Sequence, residues 1–340
     1  MSYAKEKAIV EKKVKRLKGI AAAVVAFLVV TLCVLGSFYY PSSWRYHFAL
    51  PRVGTRAEGE MRLHFIDVGQ GDCSLIELPD GKIMLIDGGD EREQTATVIL
   101  RYLNALDVDV IDYLLVTHAD TDHCGSLAKV LEEKKIKRVF LPVANATDNN
   151  AYAEFYTALL REEDCVFEYS SRSILLNGEG KTAYTLSFLY PYTIDVENIG
   201  ENSSKDGENN ENSSVFWLDY QGVSALFTGD APLSTETLLQ RDSRLGLFEN
   251  RGVDLESTEI LKVSHHGSRY STSKEFVDFL GVETAVISCG KDNTYGHPSS
   301  EVCENLTAVG AKTYRTDEQG SVIVTVKANG AYEVKTLGKN

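Results

Sequence analysis

Between residues 118 and 123 the chain reads His118-Ala119-Asp120-Thr121-Asp122-His123, which packs four side chains able to ligate a metal into six residues. Imidazole nitrogen and carboxylate oxygen hold zinc, manganese and related divalent ions, so a metal site is a simple reason to gather them. The competing reading is a polar loop that caps a helix, with Asp122 at the helix N-terminus. Histidine usage favours the metal. Of only seven histidines, three more occur in two similar settings, His265-His266-Gly267-Ser268 and Tyr295-Gly296-His297-Pro298. His47 and His64 stand apart and read as bystanders.

The flanking residues say how these groups are positioned. Tyr113 to Val116 is an apolar run suited to a buried strand, and Cys124 to Leu131 has helical spacing, so the motif lies on a strand-to-helix turn. Upstream, Met61 to Phe65 alternates like a strand. Asp67 to Asp72 turns the chain into a second strand at Cys73 to Leu78, and Pro79-Asp80-Gly81 makes a hairpin into a third that ends at Asp87-Gly88-Gly89. Residues 92–106 read as a helix, 137–141 as a strand, 152–161 as a helix and 181–190 as a strand. Ser214 to Leu218 and Val223 to Phe227 bracket a turn at 219–222 and end at Thr228-Gly229-Asp230.

Residues 232–248 read as helical, Glu259 to Val263 as a strand delivering His265, and Thr272 with Glu275 as a capping box. Ala285 to Cys289 is a strand, a helix starts near Ser299, and residues 311–336 make three closing strands. Asp87, His118, Asp120, Asp122, His123, Asp230, His265 and His297 therefore all fall at strand ends or the turns after them. In a layered α/β domain those ends line one edge of a sheet. Between Asp195 and Ser214 the chain has almost no apolar residue, which predicts a mobile surface loop, with a substrate lid as its functional reading.

Residues 19–40 carry no charge and are long enough to cross a bilayer, and seven basic residues precede them. By the positive-inside rule the flank stays in the cytoplasm and the rest of the chain faces outward. Tyr39, Tyr40 and Trp44 suit the outer interface. The apolar run is long for a cleaved signal peptide and Val34 to Phe38 offers a poor cleavage site, so a retained single-pass anchor in the cell membrane is expected. The organisation predicted is a cytoplasmic flank at 1–18, an anchor at 19–40, a tether at 41–60 and a folded domain at 61–340. Net charge is −14; the first forty residues hold seven basic and two acidic residues, which leaves −19 for the remainder. That excludes a broad basic surface for nucleic acid. Six cysteines show no paired spacing, so neither a zinc ribbon nor a disulfide framework is indicated.

Read together with Phe65-Ile66-Asp67-Val68-Gly69-Gln70-Gly71-Asp72, Ile86-Asp87-Gly88-Gly89, Thr228-Gly229-Asp230, Lys262-Val263-Ser264-His265-His266-Gly267-Ser268 and Asn293-Thr294-Tyr295-Gly296-His297-Pro298-Ser299, the chain resembles the metallo-β-lactamase superfamily of metal-dependent hydrolases. Its ComEC-type branch, the soluble domain of DNA-uptake competence proteins, is the nearest likeness, from Met61 to about residue 336. The resemblance implies a four-layer αββα sandwich and a two-metal site. His118 and Asp120 would hold the first ion, Asp122, His123 and His265 the second, with Asp230 bridging and Asp87 orienting a ligand by hydrogen bonds. His265 is taken as the ligand over its neighbour. His297 or His266 would then donate a proton to the leaving group or steady the transition state.

The superfamily usually has histidine where Asp120 stands, and another near Asn212-Ser213-Ser214. An oxygen-rich first site moves the expected ion from zinc alone toward manganese or magnesium and argues against β-lactam hydrolysis. ComEC proteins carry a multi-helix channel before this domain, whereas this chain has one span, so it is not expected to conduct DNA by itself. Arg269, after the His265 motif, is the candidate for a substrate phosphate contact. The expectation is a membrane-anchored, outward-facing phosphodiesterase or nuclease acting on extracellular DNA. An esterase of teichoic-acid-like wall polymers, or a binding module that has lost the chemistry, are the rivals.

Overall fold

The computed structural model describes residues 3–39, 43–144, 149–192 and 208–338. Tyr40 and residues 193–207 of the polar stretch lie outside them. The chain divides between Ala49 and Leu50 into two units. The first contains one long helix, α1 (Tyr3–Tyr39), whose segment Glu11–Leu35 is long and apolar enough to cross a membrane.

In the second unit, β1 (Met61–Phe65), β2 (Ser74–Glu77) and β3 (Ile83–Ile86) form an antiparallel meander, followed by α2 (Glu93–Ala105). Next come β4 (Val110–Leu115), the short helices α3 (Thr121–Cys124) and α4 (Leu127–Glu133), β5 (Lys135–Leu141), α5 (Asn150–Leu159) and β6 (Val166–Tyr169). The chain then crosses to a second sheet with β7 (Leu175–Asn177), β8 (Tyr184–Tyr190), the turn of helix α6 (Glu208–Glu211), β9 (Val215–Tyr220), β10 (Val223–Phe227) and α7 (Leu233–Arg244). It continues through β11 (Ile260–Lys262), α8 (Lys274–Leu280), β12 (Thr284–Ile287), α9 (Ser300–Ala308) and β13 (Lys312–Arg315). After α10 (Thr316–Gln319), β14 (Val322–Val326) and β15 (Tyr332–Thr336) return to the first sheet. Strand order is β15-β14-β1-β2-β3-β4-β5-β6 in one sheet and β13-β12-β11-β10-β9-β8-β7 in the other.

Both faces of β1 are buried, which requires a layer on each side. Met61, Leu63 and Phe65 enter an apolar core shared by the two sheets. Arg62 and His64 point the other way and are covered by α2, where the His64 Nδ1 lies 3.0 Å from the Tyr102 hydroxyl. Across the inter-sheet core, Phe65 stacks on Phe227 at 5.7 Å and Phe227 on Phe216 at 4.7 Å, clamping β1 to β9 and β10. A separate core joins the outer face of the second sheet to α7, α8 and α9 through Leu239, Phe276 and Leu306. The result is the expected αββα sandwich.

The layering also explains the differences from expectation. β6 and β7 were not anticipated: they are three or four residues long and lie at sheet edges, where half-exposed positions weaken the apolar pattern. The cap of α8 is Ser273, one residue later than Thr272, and the carboxylate that accepts the Ser273 N–H is Glu236 of α7 rather than Glu275. Asp219 is part of β9, not of the turn. His64 stands apart from the other histidines, buried with its Nε2 2.8 Å from Glu77. No disulfide joins any of the cysteines among the described residues.

Candidate metal centre

β3, β4 and β5 run parallel, as do β10, β11 and β12, and the groups of interest project from the carboxyl ends of these two ribbons. Asp87 follows β3, the 118–123 motif follows β4, Asp230 follows β10 and the two adjacent histidines follow β11. Three of these residues hold left-handed backbone that side chains rarely adopt: Asp87 at φ 60°, His265 at φ 50° and His266 at φ 54°. Each costs about 1–3 kcal/mol and persists only where the surroundings impose it. Here the His265 N–H donates to the Gly229 carbonyl at 3.1 Å and the Ser299 N–H to the Gly267 carbonyl at 2.8 Å, locking the turn between β10 and α9. On the opposite side the 67–72 loop abuts the motif so closely that a Cβ on Gly71 would meet the Asp122 carbonyl oxygen at 2.5 Å.

Asp230 is the hub. Its Oδ1 is 3.2 Å from His123 Nε2, and its Oδ2 is 3.7 Å from His265 Nε2 and 3.8 Å from both His118 Nε2 and His266 Nε2. His118 Nε2 lies 3.6 Å from Asp120 Oδ2, and His266 Nε2 lies 3.2 Å from Asp122 Oδ2. Two donors bound to one ion at about 2.1 Å stand roughly 3.0–3.5 Å apart, so these spacings suit edges of a coordination shell better than hydrogen bonds. The donor atoms are otherwise orphaned: His118 Nε2, His123 Nε2, His266 Nε2 and Asp230 Oδ1 are buried without a hydrogen-bond partner. Leaving four such atoms unsatisfied costs about 1–3 kcal/mol each, and a divalent cation among them removes that cost. The residues present therefore fit such an ion.

The far ring nitrogens are fixed from behind. His123 Nδ1 faces Asp87 Oδ2 at 2.9 Å, His266 Nδ1 donates to the Ser288 carbonyl at 2.9 Å, and His118 Nδ1 lies 3.1 Å from the Thr117 hydroxyl, which itself donates to Asp87 at 2.7 Å. Engaging Nδ1 leaves each Nε2 lone pair for a ligand. The electrostatics agree. Burial opposes charge on His123, yet Asp230 and Asp87 raise its pKa well above the ordinary value. Burial likewise opposes charge on His266, but Asp230 and Asp72 lift it to about 10. Asp230 resists the upward pull of burial and is driven well below the carboxylate range by His123 and His266. These protons occupy the place of positive charge that a metal would supply. His297 behaves oppositely: burial, then His266 and His265, lower it to about 4, which keeps it neutral.

The structure brings together every ligand candidate. His266 is fully buried beside Asp122, on a turn where both histidines hold left-handed backbone. His265 approaches Asp230 from the open side with 27% exposure. His266 Nε2 therefore lies among the clustered donor atoms, beside Asp122 and Asp230. His297 stands at the rim, its ring 5.6 Å from that of His265. Arg269 is exposed on the following loop. Sequence reasoning missed Asp72 and Lys262: Asp72 Oδ1 is 3.4 Å from His266 Nδ1, and Asp72 Oδ2 is 2.6 Å from Lys262 Nζ. Asp72 belongs to the tight group of donors formed with His123, Asp230 and His266. One of its oxygens is held by Lys262, and the other, Oδ1, is buried without a hydrogen-bond partner among the described residues. It also missed Ser213, whose hydroxyl accepts the Asp230 N–H at 2.8 Å. The acid ending the 67–72 turn and the polar residues before β9 were the available signals.

Comparison with known proteins follows the same line. Residues 66–160 match the metallo-beta-lactamase superfamily, and with the sandwich and its histidine–aspartate cluster this chain belongs to that superfamily of metal-dependent hydrolases. Within it the chain is of the ComEC type. It is 30% identical over 281 residues to ComE operon protein 3 of Bacillus subtilis, covering 78% of this chain and 33% of that protein. It is 26% identical over 268 residues to Competence protein ComA of Neisseria gonorrhoeae, covering 78% and 32%. Endoribonuclease YSH1 of Candida glabrata is 25% identical over 189 residues, covering 51% of this chain and 23% of that protein. The chain thus spans about a third of the length of the competence relatives it matches.

Proposed function

We propose that this chain is a metal-dependent phosphodiesterase that cleaves DNA outside the cell from a membrane-anchored domain. The observation that carries the reading is the set of buried, partnerless nitrogen and oxygen atoms converging on Asp230. His118 and Asp120 would hold one divalent ion, zinc or manganese, with His265 beside it. Asp122, His123 and His266 would hold a second, with Asp230 shared between the two. Bound there, a pair of divalent ions supplies Lewis acidity and positive charge at a phosphoryl group. The chain's own residues do the rest. Asp87, Thr117 and Ser288 set the imidazole tautomers. His297, neutral at physiological pH, presents a ring N–H to a substrate oxygen at the rim without adding charge. Arg269, exposed on the loop after the histidine turn, would contact a flanking phosphate.

Relatives named as competence proteins and as an endoribonuclease support a nucleic acid over other phosphodiesters. The basic flank before the apolar segment of α1 supports an outward-facing domain. The test takes the purified full chain, measures bound metal, and offers single- and double-stranded DNA, RNA and a poly(glycerol phosphate) polymer with manganese, zinc or magnesium. Cleavage of DNA is expected. A metal-loaded chain that leaves DNA intact and releases product from the glycerol polymer moves the assignment to a wall esterase, and one that binds metal without hydrolysing any substrate makes it a binding module. Protease added to intact cells should remove the domain beyond residue 60 and spare the first 18 residues; full protection would place it inside.

A further inference from the structure

From the buried ligand cluster a column of rings leads to solvent. The His266 and His297 rings are 6.3 Å apart with planes 30° from parallel, and the His297 and Tyr295 rings are 5.7 Å apart at 23°. Tyr295, the outermost member, is 69% exposed, so its outer face is uncovered. Its setting is built rather than loose. The Asn293 side-chain oxygen accepts the N–H of Tyr295 at 3.2 Å and of His297 at 3.0 Å, while its amide nitrogen donates to the His297 carbonyl at 2.5 Å. Tyr270 is equally exposed but shares no such ring contact among the described residues, and it represents an ordinary surface tyrosine.

A net charge of −14 argues that affinity for a polyanion does not come from many cationic contacts. Stacking on an aromatic face supplies affinity that every base can use and that tolerates any sequence. We propose that Tyr295 is the stacking platform for a nucleobase adjoining the phosphodiester at the metal centre, so that the site takes unpaired nucleic acid and discriminates against phosphate polymers without bases. The proposal rests on the phosphodiesterase reading above and adds its substrate class.

The experiment uses the full chain with its preferred metal and two oligomers of equal length: oligothymidylate, and a chain of abasic tetrahydrofuran phosphodiesters. For oligothymidylate, Tyr295→Ala should raise KM by about five-fold or more with kcat little changed, and Tyr295→Phe should restore it. Tyr270→Ala should behave as wild type. On the abasic oligomer wild type and Tyr295→Ala should be alike. A KM unchanged on oligothymidylate, or raised equally on both oligomers, overturns the platform. If wild type cleaves neither oligomer, the phosphodiesterase reading fails separately. Equilibrium binding of the same two oligomers then decides the platform: a preference for bases that Tyr295→Ala erases upholds it, and no preference overturns it.

Discussion

Lys262 Nζ lies 2.6 Å from Asp72 Oδ2, and both side chains are 5% exposed or less, immediately behind His266. A buried ion pair is a poor device for stability, because the desolvation of two charges consumes most of their attraction. Its position explains it better: it fixes a carboxylate whose other oxygen lies 3.4 Å from His266 Nδ1, at the edge of the donor cluster. Removing only Lys262 leaves Asp72 buried and uncompensated. Lys262→Met should therefore cost about 3–5 kcal/mol, most of which the double variant Asp72→Asn/Lys262→Met recovers. Both should weaken metal binding about 10–100-fold, the usual loss for a group that orients a ligand. Chemical denaturation and metal titration measure the two effects; a Lys262→Met chain with unchanged stability would refute the role.

Asp230 faces His118, His123, His265 and His266 within 3.8 Å, an arrangement no other carboxylate among the described residues approaches. Asp230→Ala should lower bound metal and reduce hydrolysis by more than the roughly 10–100-fold of an orienting residue. Asp219→Ala is the contrast. Asp219 lies in β9, its pKa raised by burial, and it makes no ion pair among the described residues. Metal analysis of the two proteins decides, and equal loss in both would show that the hub is misassigned.

How much of this was legible follows from the physics of each element. The 118–123 motif, Asp87 and Asp230 were readable because carboxyl ends of buried strands leave a clear pattern: an apolar run, then a polar turn. Which of His265 and His266 is buried was not readable. Two adjacent residues differ in direction only through backbone angles, and both adopt a left-handed conformation that nothing in their side chains announces. Lys262 was hidden for a different reason. It occupies the last position of a three-residue strand, where a lysine reads as a solvated end, and only the fold brings Asp72 across from the first sheet to pair with it. Ser213 lay inside a stretch whose composition signalled a loop, and composition does not register one hydroxyl pointing inward.

Removing the metal should invert the pH dependence of stability. In the metal-free chain His266 is raised from 6.5 to about 10 by Asp230 and Asp72 against the opposing effect of burial. A group raised on folding stabilises the fold fully below its unfolded value and loses that contribution as pH climbs through the folded one. Asp122, pulled from 3.8 down to about 2 against burial by the neighbouring His266 and His123, contributes above pH 3.8 and loses its share as pH falls toward 2. The chelated protein should therefore melt at lower temperature at pH 10 than at pH 6.5. Metal binding should strengthen over the same interval, by about tenfold per unit for each proton displaced. Thermal melts of chelated and loaded protein at both pH values test this, and a chelated melting temperature that rises between them would contradict it.

Salt dependence separates recognition by the metal centre from recognition by a charged surface. Proteins that engage six to ten phosphates through Lys and Arg lose about 10³–10⁵ in affinity between 50 and 200 mM salt. Here the residues after position 40 carry −19, and the nearest cation after the histidine turn is Arg269, exposed on the loop. Engagement of one or two phosphates gives a slope of roughly −1 to −2 in log affinity against log salt, a fall of roughly 4- to 16-fold across the same range. Arg269→Ala should raise KM for DNA several-fold, flatten the slope by about one, and leave bound metal unchanged, because no donor atom around Asp230 depends on it. Measuring KM for one oligonucleotide at four salt concentrations, with wild type and Arg269→Ala, is sufficient. A steep slope in wild type would show that a basic surface outside this site binds the nucleic acid, and an Arg269→Ala protein with an unaltered slope would remove Arg269 from the interface.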